Sequence, residues 1–286
     1  MATWEFIKMH GLGNDFVVID ARQQPFSVTA AEACALADRH TGVGFDQLII
    51  VEPSSDPKAN AFMRIRNADG GEVSACGNAT RCVARLLFEE GTEGDAIIET
   101  GAGLLTAQPA DGTRHHYTVD MGPARDGWQD IPLAQDCDTD HLPLALGPLS
   151  DPVAVNVGNP HAVFFTTDAE AVPLAQLGPE LEHNSLFPER ANIGVAQIID
   201  DASLRLRVWE RGVGLTQACG TGACAAAVAA HRRGLTGRKV QVRLDGGALD
   251  IEWRANGHVA MTGPASVSFT GVFDDALIAD AQQSAA

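Results

Sequence analysis

The chain has 286 residues, of which 45% are apolar and 20% charged, a globular balance with length for two modest domains. A net charge of −17 excludes the basic footprint of a non-specific nucleic-acid binder and argues against docking on an anionic membrane surface. Met1 to Gly13 shows no leader pattern, no run reaches membrane-spanning length, and six cysteines make no disulfide scaffold, so a cytoplasmic, reducing compartment is expected.

In chain order, Phe6 to Met9 and Phe16 to Asp20 read as strands around the turn His10 to Asp15. Thr29-Ala-Ala-Glu32 is a capping-box pattern that opens a helix to about Arg39. Strands follow at Gln47 to Val51 and Ala61 to Asn67, then a helix from the Cys76 loop to Gly91. Ile97-Ile98, Leu104 to Ala107 and Tyr117 to Met121 are further β segments. Gly122 to Pro152 is low in pattern and reads as a connection between domains. The second half repeats the order with strands at Val153 to Val157, Ala162 to Phe165, Gly194 to Ile199 and Leu204 to Trp209, and a short helix at Leu174 to His183. A cysteine loop and helix run to Gly234, before β patterns at Val240 to Leu244, Leu249 to Trp253, His258 to Met261 and Val267 to Phe273. Asp280 to Ala286 is expected to fray.

Many short strands with one well-formed central helix per half predict an α+β fold of two pseudo-symmetric domains. The boundaries expected are 1–121, with 265–286 returning to that lobe, and 122–264. The duplication is written in the cysteines. Ala75, Cys76, Gly77, Ala84 and Gly91 match Ala218, Cys219, Gly220, Ala227 and Gly234 at a constant offset of 143 (219 minus 76). Asn67 lies opposite Glu210 in the same register, and Gly13-Asn14 echoes Gly158-Asn159. Ala223 to Ala230 contains only Ala, Cys and Val, so its helix is apolar all round and belongs in the interior. Each half thus delivers one cysteine at a helix start, where free N–H groups point outward.

A thiol with its ordinary pKa of about 8.5 is only a few per cent thiolate at pH 7. A helix dipole contributes about 0.3–1 kcal/mol, less than one pKa unit, so further help is needed to ionise it. His161 and Glu210 are the candidates to supply that help. The same N–H groups suit a bound carboxylate. One thiolate and one thiol across the adjacent carbon form a base and an acid, and inversion of that carbon follows. Cys34, Cys82, Cys137 and Cys224 read instead as small buried residues. Without further context, His161 fits a turn or packing role, Arg211 a surface charge, and the Asn-containing turns ordinary turn chemistry. His115-His116 reads as solvated loop, and no metal site is expected.

Nine motifs then bring a family into view: Lys8 to Phe16, Gly44 to Gln47, Arg66-Asn67, Ala75 to Asn78, Asn156 to His161, Glu189 to Asn192, Trp209 to Arg211, Ala218 to Gly222 and Met261 to Pro264. In that order they resemble the diaminopimelate epimerases, of the cofactor-independent two-cysteine racemase superfamily. The resemblance implies a sheet rolled round a central helix in each lobe, no cofactor, a small-molecule substrate and a homodimer. It implies Cys76 and Cys219 as the catalytic acid/bases, and main-chain donors at Gly77-Asn78 and Gly220-Thr221 for the reacting carboxylate. Asn14, Gln47, Asn67, Asn159, Asn192, Glu210 and Arg211 would bind the rest of the substrate, with His161 and Glu210 tuning the thiols. Ala79-Thr80 departs from the family's usual Gly-Ala.

Three alternatives remain at this point. A relative acting on histidine or hydroxyproline would share the fold. An NAD-dependent oxidoreductase is suggested by Gly220-Thr-Gly-Ala-Cys-Ala225, which formally matches a dinucleotide fingerprint but lacks the βαβ context. A cysteine hydrolase would leave the second cysteine without a role.

Overall fold

The computed structural model describes residues 3–278, so the tail expected from Asp280 lies outside the described residues. The first elements are β1 (Thr3–Gly11), β2 (Asn14–Asp20), α1 (Ala30–Ala37), β3 (Gln47–Glu52), β4 (Ala61–Asn67) and β5 (Glu72–Val73). Then come α2 (Gly77–Glu89), β6 (Ala96–Thr100), β7 (Gly103–Pro109) and β8 (His116–Pro123). The middle holds β9 (Ala145–Leu146), β10 (Leu149–Ser150), β11 (Val153–Asn156), β12 (Pro160–Thr166), α3 (Leu174–Glu182), β13 (Asn192–Asp200), β14 (Ser203–Glu210) and β15 (Gly214–Leu215). The chain continues through α4 (Gly220–Arg232), β16 (Lys239–Leu244), β17 (Gly247–Trp253), β18 (His258–Pro264) and β19 (Ser266–Asp274).

Two compact units result, one running to Val119 and resuming at Pro264, the other covering Asp120–Gly263. Six strand pairings recur in the same order and sense in both, and the second unit adds the β9–β10 hairpin. β1 pairs β2 antiparallel, β2 pairs β3 parallel, and β3 pairs β4 antiparallel. In the second unit β11–β12, β12–β13 and β13–β14 repeat that sequence of senses. β4 takes β5 antiparallel and β6 parallel, as β14 takes β15 and β16; the β6–β7 and β16–β17 hairpins follow. This is a mixed sheet with few helices, the α+β class.

The central helices end alike. In α2 the Gly91 N–H donates to the Phe88 carbonyl and the Thr92 N–H to that of Leu87; in α4, Gly234 donates to His231 and Leu235 to Ala230. Both glycines have positive φ, +100° and +67°, the left-handed stop that closes a Schellman motif. Every side chain from Ala223 to Ala230 is buried, and α4 packs against β11, β12, β13, β14, β16 and β17. Alanine is the strongest helix former, and its small side chain lets strands approach on all sides. Helix α1 opens on the expected capping box, with Glu32 N–H donating to the Thr29 hydroxyl and Thr29 N–H to the Glu32 carboxylate.

Two expectations are corrected. The stretch Gly122 to Pro152 is not a bare connection: Ile131, Leu133, Leu142, Leu144 and Leu149 enter the core of the second unit beside Phe164 and Ile193. Its apolar residues are irregularly spaced, so no helix or strand period betrays their burial. Cys34 is exposed on α1 and Cys137 half-buried, whereas Cys82 and Cys224 are buried as expected. Among the described residues no helix is long and apolar enough to cross a membrane, and no group of three His, Cys, Asp or Glu is placed to hold a metal.

Candidate active site

The candidate residues fall at equivalent positions of the two units. In β2–β3 the register pairs Phe16 with Gln47, and in β12–β13 it pairs His161 with Asn192. Gln47 and Asn192 therefore correspond, and the buried Phe16 occupies the place that His161 takes in the second unit. Asn67 and Glu210 each end the next strand, and Cys76 and Cys219 each cap the helix beyond it. Both cysteines have extended backbone, with φ −149° and −114°, so each hands over directly to the first turn of its helix, whose N–H groups lack carbonyl partners within the helix.

In the first unit these side chains form a polar chain with a fixed direction. The buried guanidinium of Arg81 donates from Nη2 to Asn78 Oδ1 at 3.0 Å, and Asn78 Nδ2 donates to Asn14 Oδ1 at 3.2 Å. Asn14 Nδ2 then donates to Asp46 Oδ2 at 3.1 Å, and Arg39 donates to Asp46 Oδ1 at 2.9 Å. Both amide orientations follow from this chain. Asp15, also held by Lys8 and Arg39, is pushed up by burial but brought down overall to about 2 by those cations, so it stays charged. Gln47 Nε2 donates to Asn67 Oδ1 at 2.9 Å, while Gln47 Oε1 is buried without a hydrogen bond among the described residues. Such an orphan acceptor is rare in a finished core, and an outside donor would satisfy it.

The second unit carries a matching orphan. His161 is 1% exposed; its Nε2 lies 2.8 Å from Asn159 Oδ1, and its Nδ1 has no hydrogen bond among the described residues. Burial, aided by the Arg211 charge, pushes its pKa down to about 3, so the imidazole is neutral at pH 7. Asn192 is committed at both ends, donating to the Pro160 carbonyl at 3.0 Å and accepting the Arg211 N–H at 2.9 Å. It braces the Arg211 turn. Arg211 Nη1 donates to the Glu189 carbonyl at 2.8 Å.

Cys219 Sγ accepts the Gly222 N–H at 3.3 Å and lies 3.6 Å from the Thr221 hydroxyl. Burial pushes its pKa well above the ordinary thiol value, and the Glu210 carboxylate adds to the shift; the Thr221 and Gly222 donors only partly oppose it. This corrects the expected sign of tuning. Glu210 works against ionising Cys219, and a neutral His161 carries no positive charge, so Cys219 stays protonated at neutral pH.

The departure at Ala79-Thr80 also acquires a physical description. Ala79 corresponds to Gly222, where an added Cβ would stand 3.2 Å from Cys219 Sγ. Cys219 accepts the Gly222 N–H, whereas Cys76 makes no side-chain cap hydrogen bond. Thr80 is buried, and its hydroxyl and N–H both donate to the Cys76 carbonyl at 2.9 Å, tying the cap residue to its helix. Sequence reasoning singled out neither Arg81, Arg39, Asp46 nor Glu182. Lys8, Asp15 and Asp46 stand inside quoted motifs, but nothing in spacing marks Arg81 or Glu182.

A neutral, buried His161 has a measurable consequence. The unfolded chain takes up a proton below its ordinary pKa of about 6.5, and the folded chain does not until about 3. Stability is therefore lost as pH falls through that window, at ~1.4 kcal/mol per unit. His161→Phe, which installs the residue found at the equivalent position in β2, should remove this dependence. Between pH 7 and pH 5 the stability difference between wild type and variant should move by about 2 kcal/mol in urea unfolding. A constant difference would mean that His161 is not held neutral.

Comparison with known proteins first defines a class. The fold is shared with a hydroxyproline epimerase from Agrobacterium vitis, at a TM-score of 0.68 and 17% identity over 96% of this chain and 91% of that one. A phenazine biosynthesis protein of the PhzF family from Bacillus anthracis matches with a TM-score of 0.70 and 16% identity over 96% of this chain and all of that one. The architecture is thus that of a two-unit fold which racemases and epimerases use. The diaminopimelate epimerase family model matches residues 6–126 and 153–268. The diaminopimelate epimerase of Rhodospirillum centenum is 57% identical over 96% of this chain and 93% of its own length, and that of Erythrobacter litoralis 57% over 94% and 97%. This chain belongs to the diaminopimelate epimerase family.

Proposed function

We propose that the chain interconverts LL- and meso-2,6-diaminopimelate by two-base proton transfer, without a cofactor, in lysine and peptidoglycan-precursor synthesis. The observation that carries this reading is the pair of equivalent helices, α2 and α4, each begun by a cysteine. A proton on the carbon beside a carboxylate is weakly acidic, and N–H groups at Gly77-Asn78 and Gly220-Thr221 suit the charge that builds on that carboxylate. With Cys219 protonated, Cys76 takes the base role in one direction. The Cys76 thiolate removes the α-proton, and its sulfur becomes a thiol; the electron pair passes to carbon and carboxylate. Cys219 then delivers its own proton to the opposite face and is left as thiolate. The product carries the inverted centre, and the two sulfurs have exchanged protonation states, ready for the reverse direction.

Asn14, Gln47, Asn67, Asn159, Asn192, Glu210 and Arg211 would bind the remainder of the substrate. The orphaned Gln47 Oε1 suits an ammonium donor, and the Arg211 guanidinium a carboxylate. The negative net charge favours a small-molecule partner over nucleic acid or an anionic membrane, and a cytoplasmic setting suits free thiols. A homodimer is the proposed assembly, supported by the exposed Val267, Phe269 and Val272 of β19; its mass in solution tests this.

The protein should convert LL-diaminopimelate to the meso form in deuterated water with no added cofactor, placing one deuterium on the inverted carbon. Turnover of proline or histidine in place of diaminopimelate, or an absolute requirement for NAD, would sink this assignment.

A further inference from the structure

The turn that carries Glu210 and Arg211 is held by one buried carboxylate. Glu182, the last residue of α3, has a side chain only 4% exposed. Its Oε2 accepts the Trp209 indole N–H at 2.8 Å, and its Oε1 accepts the Gly212 backbone N–H at 2.9 Å. The two bonds bracket Glu210 and Arg211, one residue to either side. Arg190 Nη1 lies 3.5 Å from the same Oε1, and Arg190 has a left-handed φ of +61°. Next to it, Glu189 presents the carbonyl that receives the Arg211 guanidinium. Packing reinforces the grip: a Cβ on Gly178 of α3 would stand 2.4 Å from the Trp209 ring, so only glycine admits the indole there.

We infer that Glu182 is a positioning residue: it accepts on both oxygens, fixes the backbone on each side of Glu210-Arg211, and so aims the Arg211 guanidinium at a substrate carboxylate. The step to substrate rests on the reading of Arg211 as a ligand given above. Only a carboxylate meets the requirement, because both bonds come from donors and a glutamine has one acceptor oxygen. Gln at this position would turn an NH2 group on either the indole N–H or the Gly212 N–H. Burial raises the Glu182 pKa, but the Trp209 and Gly212 donors and the nearby His183 and Arg190 charges outweigh it, so the side chain remains an acceptor at neutral pH.

The test compares wild type, Glu182→Gln, Trp209→Phe and the double variant with LL-diaminopimelate as substrate. Glu182→Gln should raise KM about tenfold, the scale of one lost hydrogen bond to a charged group, with kcat changed less than about threefold. In the double variant Phe removes the indole donor, the glutamine carbonyl can turn to Gly212, and KM should return to within about threefold of Trp209→Phe alone. A residue that merely stabilised the fold would lower the melting temperature without this rescue. A KM for Glu182→Gln within twofold of wild type, or a double variant as impaired as the single one, overturns the inference. If Glu182→Gln does not fold, Glu182→Asp carries the test: a KM raised at least threefold supports the role, and a wild-type KM overturns it. Amide exchange at Gly212 needs no substrate, so it separates the two readings. It should speed about tenfold in the Gln or Asp variant even if diaminopimelate proves to be the wrong substrate, and unchanged exchange rejects the brace itself.

Discussion

Replacing Cys76 or Cys219 by alanine is expected to reduce epimerisation about 10⁴-fold or more in each case. General acid–base groups contribute roughly 10²–10⁴-fold apiece, and inversion uses one as base and the other as acid in a single turnover. Neither face can borrow the other's sulfur, because each cysteine is the cap of its own helix. Loss of the acid has a distinct signature. With Cys219→Ala, Cys76 can still remove a proton and return a deuteron to the same face, so exchange without inversion should outlast epimerisation. Following deuterium content and optical rotation together reads both events. Either variant retaining more than about 10% of wild-type inversion contradicts a two-base reaction, since loss of one partner removes at least about 10²-fold.

Arg81→Met is expected to destabilise the first unit by about 2–4 kcal/mol in urea unfolding at pH 7. Arg81 is fully buried, and methionine of similar length fills much of its volume without its donors. The variant removes the donors to Asn78 Oδ1, now 3.0 Å from Nη2, and to the Pro264 carbonyl, 3.2 Å from Nε. Leaving a buried acceptor unsatisfied costs about 1–3 kcal/mol each. Gly11 adds a constraint, since a Cβ there would stand 2.8 Å from Nη2. The same variant should weaken substrate binding, because Asn78 loses the donor that sets the direction of the chain running through Asn14 to Asp46. A loss below 1 kcal/mol would show that the Arg81 bonds are replaced without cost.

Much of this protein is legible in one dimension because its signals are local. The capping box at Thr29, the alanine-rich run of α4 and the glycines that stop α2 and α4 depend on neighbours within one or two helical turns. The duplication is legible for a different reason: an offset of 143 is arithmetic on the sequence, and it places a cysteine at each helix start before any coordinate is known. The stretch Gly122 to Pro152 marks the opposite limit. Its leucines are buried by partners such as Phe164 and Ile193, and no period within the segment encodes that.

What the sequence determined by itself is the α+β class, the repeated plan, and the pairing of Cys76 with Cys219 as equivalent positions. Tertiary structure alone decided the charge states and the supports. Whether Cys219 keeps its proton depends on burial and on the Glu210 carboxylate, and whether His161 is neutral depends on the strands that enclose it. Glu182 lies 27 residues from the indole it holds, and Arg81 lies 183 from the Pro264 carbonyl. Hydrogen bonds and desolvation act through space, so they are read only where the chain has folded back on itself.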